Sequence, residues 1–191
     1  MDHPFLASRD SATPIAAAAA LGRAEADTSQ FLTFRLRDET FGLPVLAVRE
    51  IIAYARPTAV PMMPDVVQGV IDLRGSVVPV VDLALRLGRG ATPIRARTCI
   101  VVVEARGNDG MQIAGVVVDA VDAVREFEAG RIEPAPSFGS GPHARFILGM
   151  ARADDSGFVT LLDVAHLLPG DDLAALARAG DALPGRGGGS D

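Results

Sequence analysis

Short apolar runs separated by turn residues dominate the chain between about residues 30 and 168. The separators at 74–76, 107–110 and 154–157 are rich in Gly, Asp, Asn and Ser, the residues that turns prefer. Apolar runs of four to eight residues between such separators indicate strands. The predicted strands are 31–36, 40–43, 70–73, 77–81, 99–104, 111–118, 146–151 and 158–162. Many short strands at this spacing predict small β-barrels.

Two aspartates follow apolar strands and precede short helical patterns. Asp82 comes before Leu-Ala-Leu-Arg-Leu, and Asp163 before Val-Ala-His-Leu-Leu. A carboxylate in this place accepts the free amide hydrogens of the first helical turn, so both aspartates are predicted to be N-caps. The alternative is that the two carboxylates form an acid/base pair. A last amphipathic helix is predicted from Asp171 to about Arg178.

An internal repeat divides the central region into two similar halves. The series Gly42, Val45, Val48 and Ile51 recurs as Gly115, Val118, Val121 and Val124, with a constant offset of 115 − 42 = 73. Later, Gly69 leads through a strand pair to Asp82, and Gly149 does the same to Asp163, with offsets of 80 and 81. The order of these signals is the same in both halves, which predicts two similar small barrels that share an interface.

The domain organisation follows from this repeat and from the composition of the ends. Residues 1–29 are predicted to be a flexible extension, and residues 30–168 the two-barrel domain. A Gly-rich break near residue 90 places the first barrel at about 30–90 and the second at about 91–168. Residues 169–183 are predicted to hold the C-terminal helix and 184–191 a disordered tail.

Composition excludes several classes of chemistry. All 18 basic residues are arginine, so no lysine is present for a P-loop, a pyridoxal Schiff base or a kinase. The formal net charge of −6 and the 5% aromatic content argue against a nucleic-acid partner. One cysteine and three histidines share no metal-ligand spacing, and no apolar stretch resembles a membrane span. No cofactor or metal is expected.

The segment from Gly69 to Leu83 carries a recognisable motif. It reads Gly-Val-Ile-Asp-Leu-Arg-Gly-Ser-Val-Val-Pro-Val-Val-Asp-Leu. This resembles the signature of the CheW family of chemotaxis coupling proteins, G-V-x-N-L-R-G-x-x-V-P-V-V-D-L. The resemblance extends from Gln30 to about Leu168. It includes the stretches 41–43, 48–51, 114–119 and 132–136.

The resemblance implies a mainly β fold of two packed, five-stranded SH3-like barrels with short helices. It also implies a non-catalytic, cytoplasmic adaptor recruited to chemoreceptor arrays at the membrane, without inserting into it. The implied partners are the regulatory domain of a CheA-type histidine kinase and the cytoplasmic tip of chemoreceptors. Other CheW-like domains are implied as further partners, in rings. No catalytic residue is expected.

The resemblance also assigns roles to individual residues. The expected kinase contacts are Leu32, Val45 and Val48, for which a place in the barrel core is the alternative interpretation. The expected receptor contacts centre on a charged pair, with residues that shape the same turn and weaker candidates for a groove wall. They are Glu50 and Arg74, then Gly69, Leu73 and Gly75, and finally Cys99, Val121 and Val124. A surface salt bridge and a buried structural cysteine are the plainer alternatives for Glu50–Arg74 and Cys99.

Two features depart from the family pattern. Asp72 stands where the motif has Asn, and we expect its carboxylate to pair with Arg74 or another nearby arginine. The N-terminal extension is also longer than the family fold needs. Either feature would fit a coupling protein of an alternative chemosensory pathway, including one that binds only the kinase or only a receptor.

Overall fold

A computed structural model describes residues 28–107, 110–134, 144–153 and 157–168. The predicted N-terminal extension up to residue 27, the C-terminal helix and the tail therefore lie outside the described residues. The first half contains strands β1 Thr28–Leu36, β2 Glu39–Pro44, β3 Val48–Ala53, β4 Val67–Leu73 and β5 Ser76–Asp82, then helix α1 Leu83–Arg86. The second half contains β6 Cys99–Gly107, β7 Gly110–Val118, β8 Ala120–Glu128, β9 Ile132–Glu133, β10 Ile147–Ala153 and β11 Gly157–Leu162, then α2 Val164–Leu167.

The strands form two sheets. The first sheet has the order β8-β1-β2-β11-β10-β9, and the second has the order β3-β6-β7-β5-β4. Most neighbours are antiparallel, but β2 with β11 and β5 with β7 are parallel. The prediction of a mainly β protein with short helices is confirmed, and the two-residue strand β9 extends one of the two five-stranded units.

The division of the chain near residue 90 is wrong, because neither sheet is built from one half. The first sheet combines residues 28–44 with strands between 120 and 162, and the second sheet takes its strands from residues 48–118. The chain crosses between the sheets at the short turn Val45–Ala47 and again at Asp119. The Gly-rich stretch near residue 90 marks the loop between the two repeats, but each sheet combines strands from both repeats.

The strand orders confirm the internal repeat itself. The strands β8, β1, β2, β11 and β10 of the first sheet have as counterparts in the other half β3, β6, β7, β5 and β4. Replacing each strand by its counterpart therefore converts the order of the first sheet into that of the second. The offset of 73 places Gly42 on Gly115, and these glycines pair with Leu161 and Val80 across the two parallel ladders. The halves therefore have the same topology, and each donates its first two strands to the other's sheet.

Three apolar clusters hold this arrangement together. The largest lies between the sheets, and both β1–β2 and β6–β7 contribute to it, with Phe34, Leu43, Val101 and Val116 among its members. A smaller cluster packs within each sheet, around Phe31 and Leu161 in the first and around Val80 and Ile100 in the second. Strands β1 and β6 are buried on both faces, which explains why they read as continuous apolar runs.

The repeated glycines mark places where two elements approach too closely for a side chain. A Cβ at Gly115 would lie 2.5 Å from Ile100 Cγ2, and a Cβ at Gly42 would lie 2.9 Å from Leu161 Cδ2. Gly69 and Gly149 each follow the bulged residue of their ladder, and a Cβ on either would overlap a backbone carbonyl. These positions are glycine for packing reasons that are the same in both halves.

Substitution of the central glycine should be costly. We expect Gly115→Ala to lower the free energy of unfolding by about 1–3 kcal/mol, because the added methyl enters a fully packed core. Gly130→Ala is the matched control, since a Cβ there meets nothing within 4 Å. Urea unfolding followed by far-UV circular dichroism measures both, and equal stability of the two variants would contradict the packing argument.

Candidate interaction surface

The β4–β5 hairpin presents Arg74 at a tight turn. Leu73 pairs with Ser76, and the two residues between them have positive φ angles, 54° at Arg74 and 85° at Gly75. Two positive φ values in a two-residue loop define a type I′ turn, whose twist suits a hairpin. The predicted need for a positive φ at Gly75 is confirmed.

Asp72 stabilises this turn rather than an arginine. The Gly75 amide donates a 2.7 Å hydrogen bond to Asp72 Oδ1. The expected pairing of Asp72 with an arginine is therefore wrong among the described residues, because its carboxylate faces the backbone of the turn. A side-chain oxygen that accepts this bond is available from Asp and Asn alike, so the departure from the family motif preserves the turn.

Arg74 reaches across to the other edge of the second sheet. Its Nη2 lies 3.0 Å from Glu50 Oε2, and 80% of the Arg74 side chain is exposed. Glu50 belongs to β3 and Arg74 follows β4, the two edge strands of this sheet. The predicted Glu50–Arg74 pair is therefore formed, with most of the guanidinium facing outward.

A second, less exposed connection closes the same sheet. The Tyr54 hydroxyl donates to Gln68 Oε1 at 3.1 Å, and Gln68 Nε2 donates to Asp82 Oδ2 at 3.0 Å. Tyr54 follows β3 and Gln68 lies in β4, so this chain also joins the sheet's two edges. The exposed Glu50–Arg74 pair therefore joins two edge strands that these hydrogen bonds already connect.

The residues expected at the kinase surface occupy two environments. Leu32 is buried and packs in the central cluster, which agrees with its alternative assignment to the core. Val45 and Val48 are partly buried at the crossover between the sheets and pack against that cluster from outside. Only the latter two offer side-chain surface in this structure.

The residues expected to form the groove wall also differ in their exposure. Cys99 is buried at the start of β6, where burial raises the pKa of its thiol and a hydrogen bond to the Val121 backbone opposes part of that rise. Val121 is partly buried, whereas Val124 is exposed on β8 and pairs with Leu32 of β1. Gly69 is buried within the bulge of β4, so its role is to allow the close approach of Thr58.

Several exposed apolar side chains were given no functional role from the sequence. Leu46 in the crossover, Met111 on β7 and Leu148 on β10 all line one groove of about 330 Å³. Each of these residues lies next to a repeat position or a turn, but none of them follows the spacing of the repeat. Periodicity identifies buried faces, and therefore gives no signal for apolar side chains that face outward.

Asp82 and Asp163 both act as helix caps, as predicted. Asp82 is 1% exposed and accepts from Leu85 N, Gln68 Nε2, and the amide and hydroxyl of Thr92. Asp163 accepts from Ala165 N and contacts His166 Nδ1, each at 2.9 Å. The two carboxylates share no partner, and no group of His, Cys, Asp and Glu suited to a metal ion occurs among the described residues.

The fold and the site together define a class of protein. Two strand-exchanged β units, an ordered hairpin that displays a charged pair, and aspartates that cap short helices are typical of a protein-binding scaffold. A family model for the CheW-like domain matches residues 30–171. The chain belongs to the CheW family, the scaffolding proteins of chemotaxis.

Individual relatives agree with this membership. The chain is 31% identical over 145 residues to the chemotaxis protein CheW of Klebsiella aerogenes, covering 76% of this chain and 84% of that protein. It is 34% identical over 166 residues to protein FrzA of Myxococcus xanthus, covering 86% and 99%. The crystal structure of the scaffolding protein TtCheW from Thermoanaerobacter tengcongensis superimposes with a TM-score of 0.67 at 30% identity, covering 76% and 92%.

The two capping aspartates differ in burial and in hydrogen bonding, so removal of their side chains should lower the free energy of unfolding by different amounts. We expect Asp82→Ala to lower the free energy of unfolding by about 3 kcal/mol or more, because the buried Thr92 amide and hydroxyl and the partly buried Gln68 amide lose their acceptor. Asp163→Ala, at an exposed cap, should cost about 1 kcal/mol. Urea titrations of both variants test this, and a cost at Asp163 equal to that at Asp82 would contradict it.

The buried thiol predicts a pH dependence. The pKa of Cys99 is raised in the folded state, so the thiol ionises more readily after unfolding. Its contribution to stability is full below the unfolded pKa of about 8.5 and is lost as pH rises toward the folded value. The stability difference between wild type and Cys99→Ala should therefore shrink between about pH 8 and pH 10 in urea titrations. Parallel curves for the two proteins would show that the thiol is not shielded.

Proposed function

We propose that this protein is a non-catalytic adaptor that holds a CheA-type histidine kinase regulatory domain beside the cytoplasmic tip of a chemoreceptor. The observation that carries the proposal is the outward-facing Glu50–Arg74 pair on a hairpin whose geometry is fixed by Asp72 and Gly75. Family membership supplies the partners, and the exposed charged pair and the apolar crossover supply a candidate surface for each. Recruitment by receptors would place the protein at the membrane, and no helix among the described residues is long and apolar enough to cross one.

The receptor surface is assigned to the second sheet. Arg74 has an exposed planar guanidinium, which can hold Glu50 and still offer donors to a carboxylate on a partner. The hairpin residues Leu73 and Val77 add apolar area beside it, and Val77 is 44% exposed. Cys99 and Gly69 are buried, so in this proposal they support the surface without touching the receptor.

The kinase surface is assigned to the crossover between the sheets. Val45 and Val48 are partly exposed there and rest on the central core, which gives a rigid apolar patch. Leu32 packs beneath this region and is proposed to support its shape. Val48 and Glu50 lie two residues apart on β3, so the two proposed surfaces adjoin on the second sheet.

Binding assays with charge variants test the two assignments separately. Wild type should bind both the cognate kinase regulatory domain and a receptor-tip fragment in calorimetric titrations. Arg74→Glu should weaken receptor binding at least tenfold, about 1.4 kcal/mol, and leave kinase binding unchanged. Val45→Asp should show the opposite pattern. Failure of wild type to bind either partner would refute the adaptor function.

Two controls separate binding from folding. Arg35→Glu reverses the charge of a surface pair on the first sheet, Arg35–Asp122 at 3.6 Å, and should leave both affinities intact. The double variant Glu50→Arg with Arg74→Glu restores an ion pair in reverse, and should remain deficient in receptor binding if the outward guanidinium is the recognised group. Recovery in the double variant would mean that the pair acts on structure alone. All variants must retain the wild-type circular dichroism spectrum.

A non-flagellar pathway is the second candidate for the biological context. The match to FrzA covers 86% of this chain, and a further match is to protein PilI of Pseudomonas aeruginosa, 32% identical over 94 residues. That PilI match covers 49% of this chain and 51% of PilI. An adaptor that serves only one partner would bind the kinase or the receptor in the same titrations, but not both.

A further inference from the structure

One end of the molecule carries an open apolar groove. It is lined by Leu46 and Ala47 of the crossover, Ala105 and Met111 of the β6–β7 hairpin, Leu148, and residues of α2. Leu46 is fully exposed, Met111 is 61% exposed and Leu148 is 51% exposed. Three large apolar side chains around one groove indicate a surface that another element covers.

The internal repeat shows what covers the corresponding surface in the other half. Leu36 and Glu39 face each other across β1–β2, as Ala105 and Gln112 do across β6–β7, and 112 − 39 = 73. Leu36 is completely buried, whereas Ala105 is only partly buried and lines the groove. The two halves therefore have matching backbones but unequal coverage at this end.

The chain following α1 provides the coverage in the first half. Arg89 pairs with Glu39 and stacks over Phe41, and Ala91 O accepts from Arg37 Nη2 at 2.6 Å. Thr92 then binds the Asp82 cap through both its amide and its hydroxyl. A short segment directly after the capped helix thus folds back over the β1–β2 hairpin.

The second half has an unfilled polar position at the equivalent place. Gln112, the counterpart of Glu39, has a buried Nε2 that no described residue accepts from. A buried amide donor without an acceptor is costly, so an acceptor is expected to reach it. Arg89 lies 89 − 82 = 7 residues after its cap, and the same step from Asp163 gives 170, next to Asp171 and Asp172.

We propose that the C-terminal segment, residues 171–183, docks in this groove of the same chain. Leu168 is the last described residue and is buried beside α2, so the chain leaves the described structure next to the groove. The segment carries Leu173, Leu176 and Leu183 at helical spacing, which matches the apolar lining, and its acidic start matches the Gln112 amide. The proposal does not rest on the proposed function, although Leu46 and Ala47 place the groove beside the kinase surface assigned to Val45 and Val48.

Methionine oxidation in the full chain tests the docking with an internal reference. Met111 lies in the groove, while Met62 is fully exposed in the loop between β3 and β4. Peroxide converts exposed methionine to sulfoxide, and mass spectrometry measures each residue's rate. Docking should make Met111 several-fold slower than Met62, at a ratio independent of protein concentration. Leu173→Asp with Leu176→Asp should speed the oxidation of Met111 several-fold and leave the rate of Met62 unchanged.

The matched control adds the same charge to the opposite side of the predicted helix. Ala174→Asp with Ala182→Asp should keep the slow oxidation of Met111, since these positions face away from the leucine stripe. Equal rates of Met111 and Met62 in wild type would overturn the proposal. So would protection that appears only at high protein concentration, which would indicate a second copy, or protection lost equally in both double variants.

Discussion

The packing of β1–β2 against β6–β7 across the central cluster is the interaction on which the rest of the molecule depends. These two hairpins come from different halves of the chain, and each continues into the other half's sheet. Neither half could bury its first two strands alone, because both faces of β1 and β6 are apolar. The protein is therefore one cooperative unit with two similar parts, and a change at this interface affects both proposed binding surfaces.

The sequence was informative where burial imposes a pattern. The apolar runs predicted most central strands, the two offsets predicted the repeat, and the capping aspartates were identified from their positions before short helices. The edge strands β3 and β8 were missed because charged residues such as Arg49, Glu50 and Asp122 interrupt their apolar content. Strand exchange was also missed, since a repeat in sequence is the same whether each half pairs with itself or with its neighbour.

Of the candidate surface, sequence reasoning predicted the Glu50–Arg74 pair and the positive φ at Gly75, but not their physical setting. The pair joins two edge strands that are far apart in the ladder order, and Tyr54, Gln68 and Asp82 join the same edges beneath it. An isolated exposed ion pair contributes only about 0–1 kcal/mol to stability. The partly buried polar chain therefore connects the two edges of the sheet without Arg74, which leaves Arg74 available for recognition.

Departures from the internal symmetry are the most informative guide to function. Equivalent positions that serve the fold stay equivalent, as with Gly42 and Gly115 or Asp82 and Asp163. Some positions that differ lie at the surface: Glu50 has its counterpart at Ala123, and Leu46 has its counterpart at Asp119, whose carboxylate accepts from the Arg37 amide. Because the two halves share the same strand topology, a side chain that differs between them is not required by that topology. Glu50 and Leu46 therefore distinguish the surface of one half of this pseudo-symmetric molecule from that of the other.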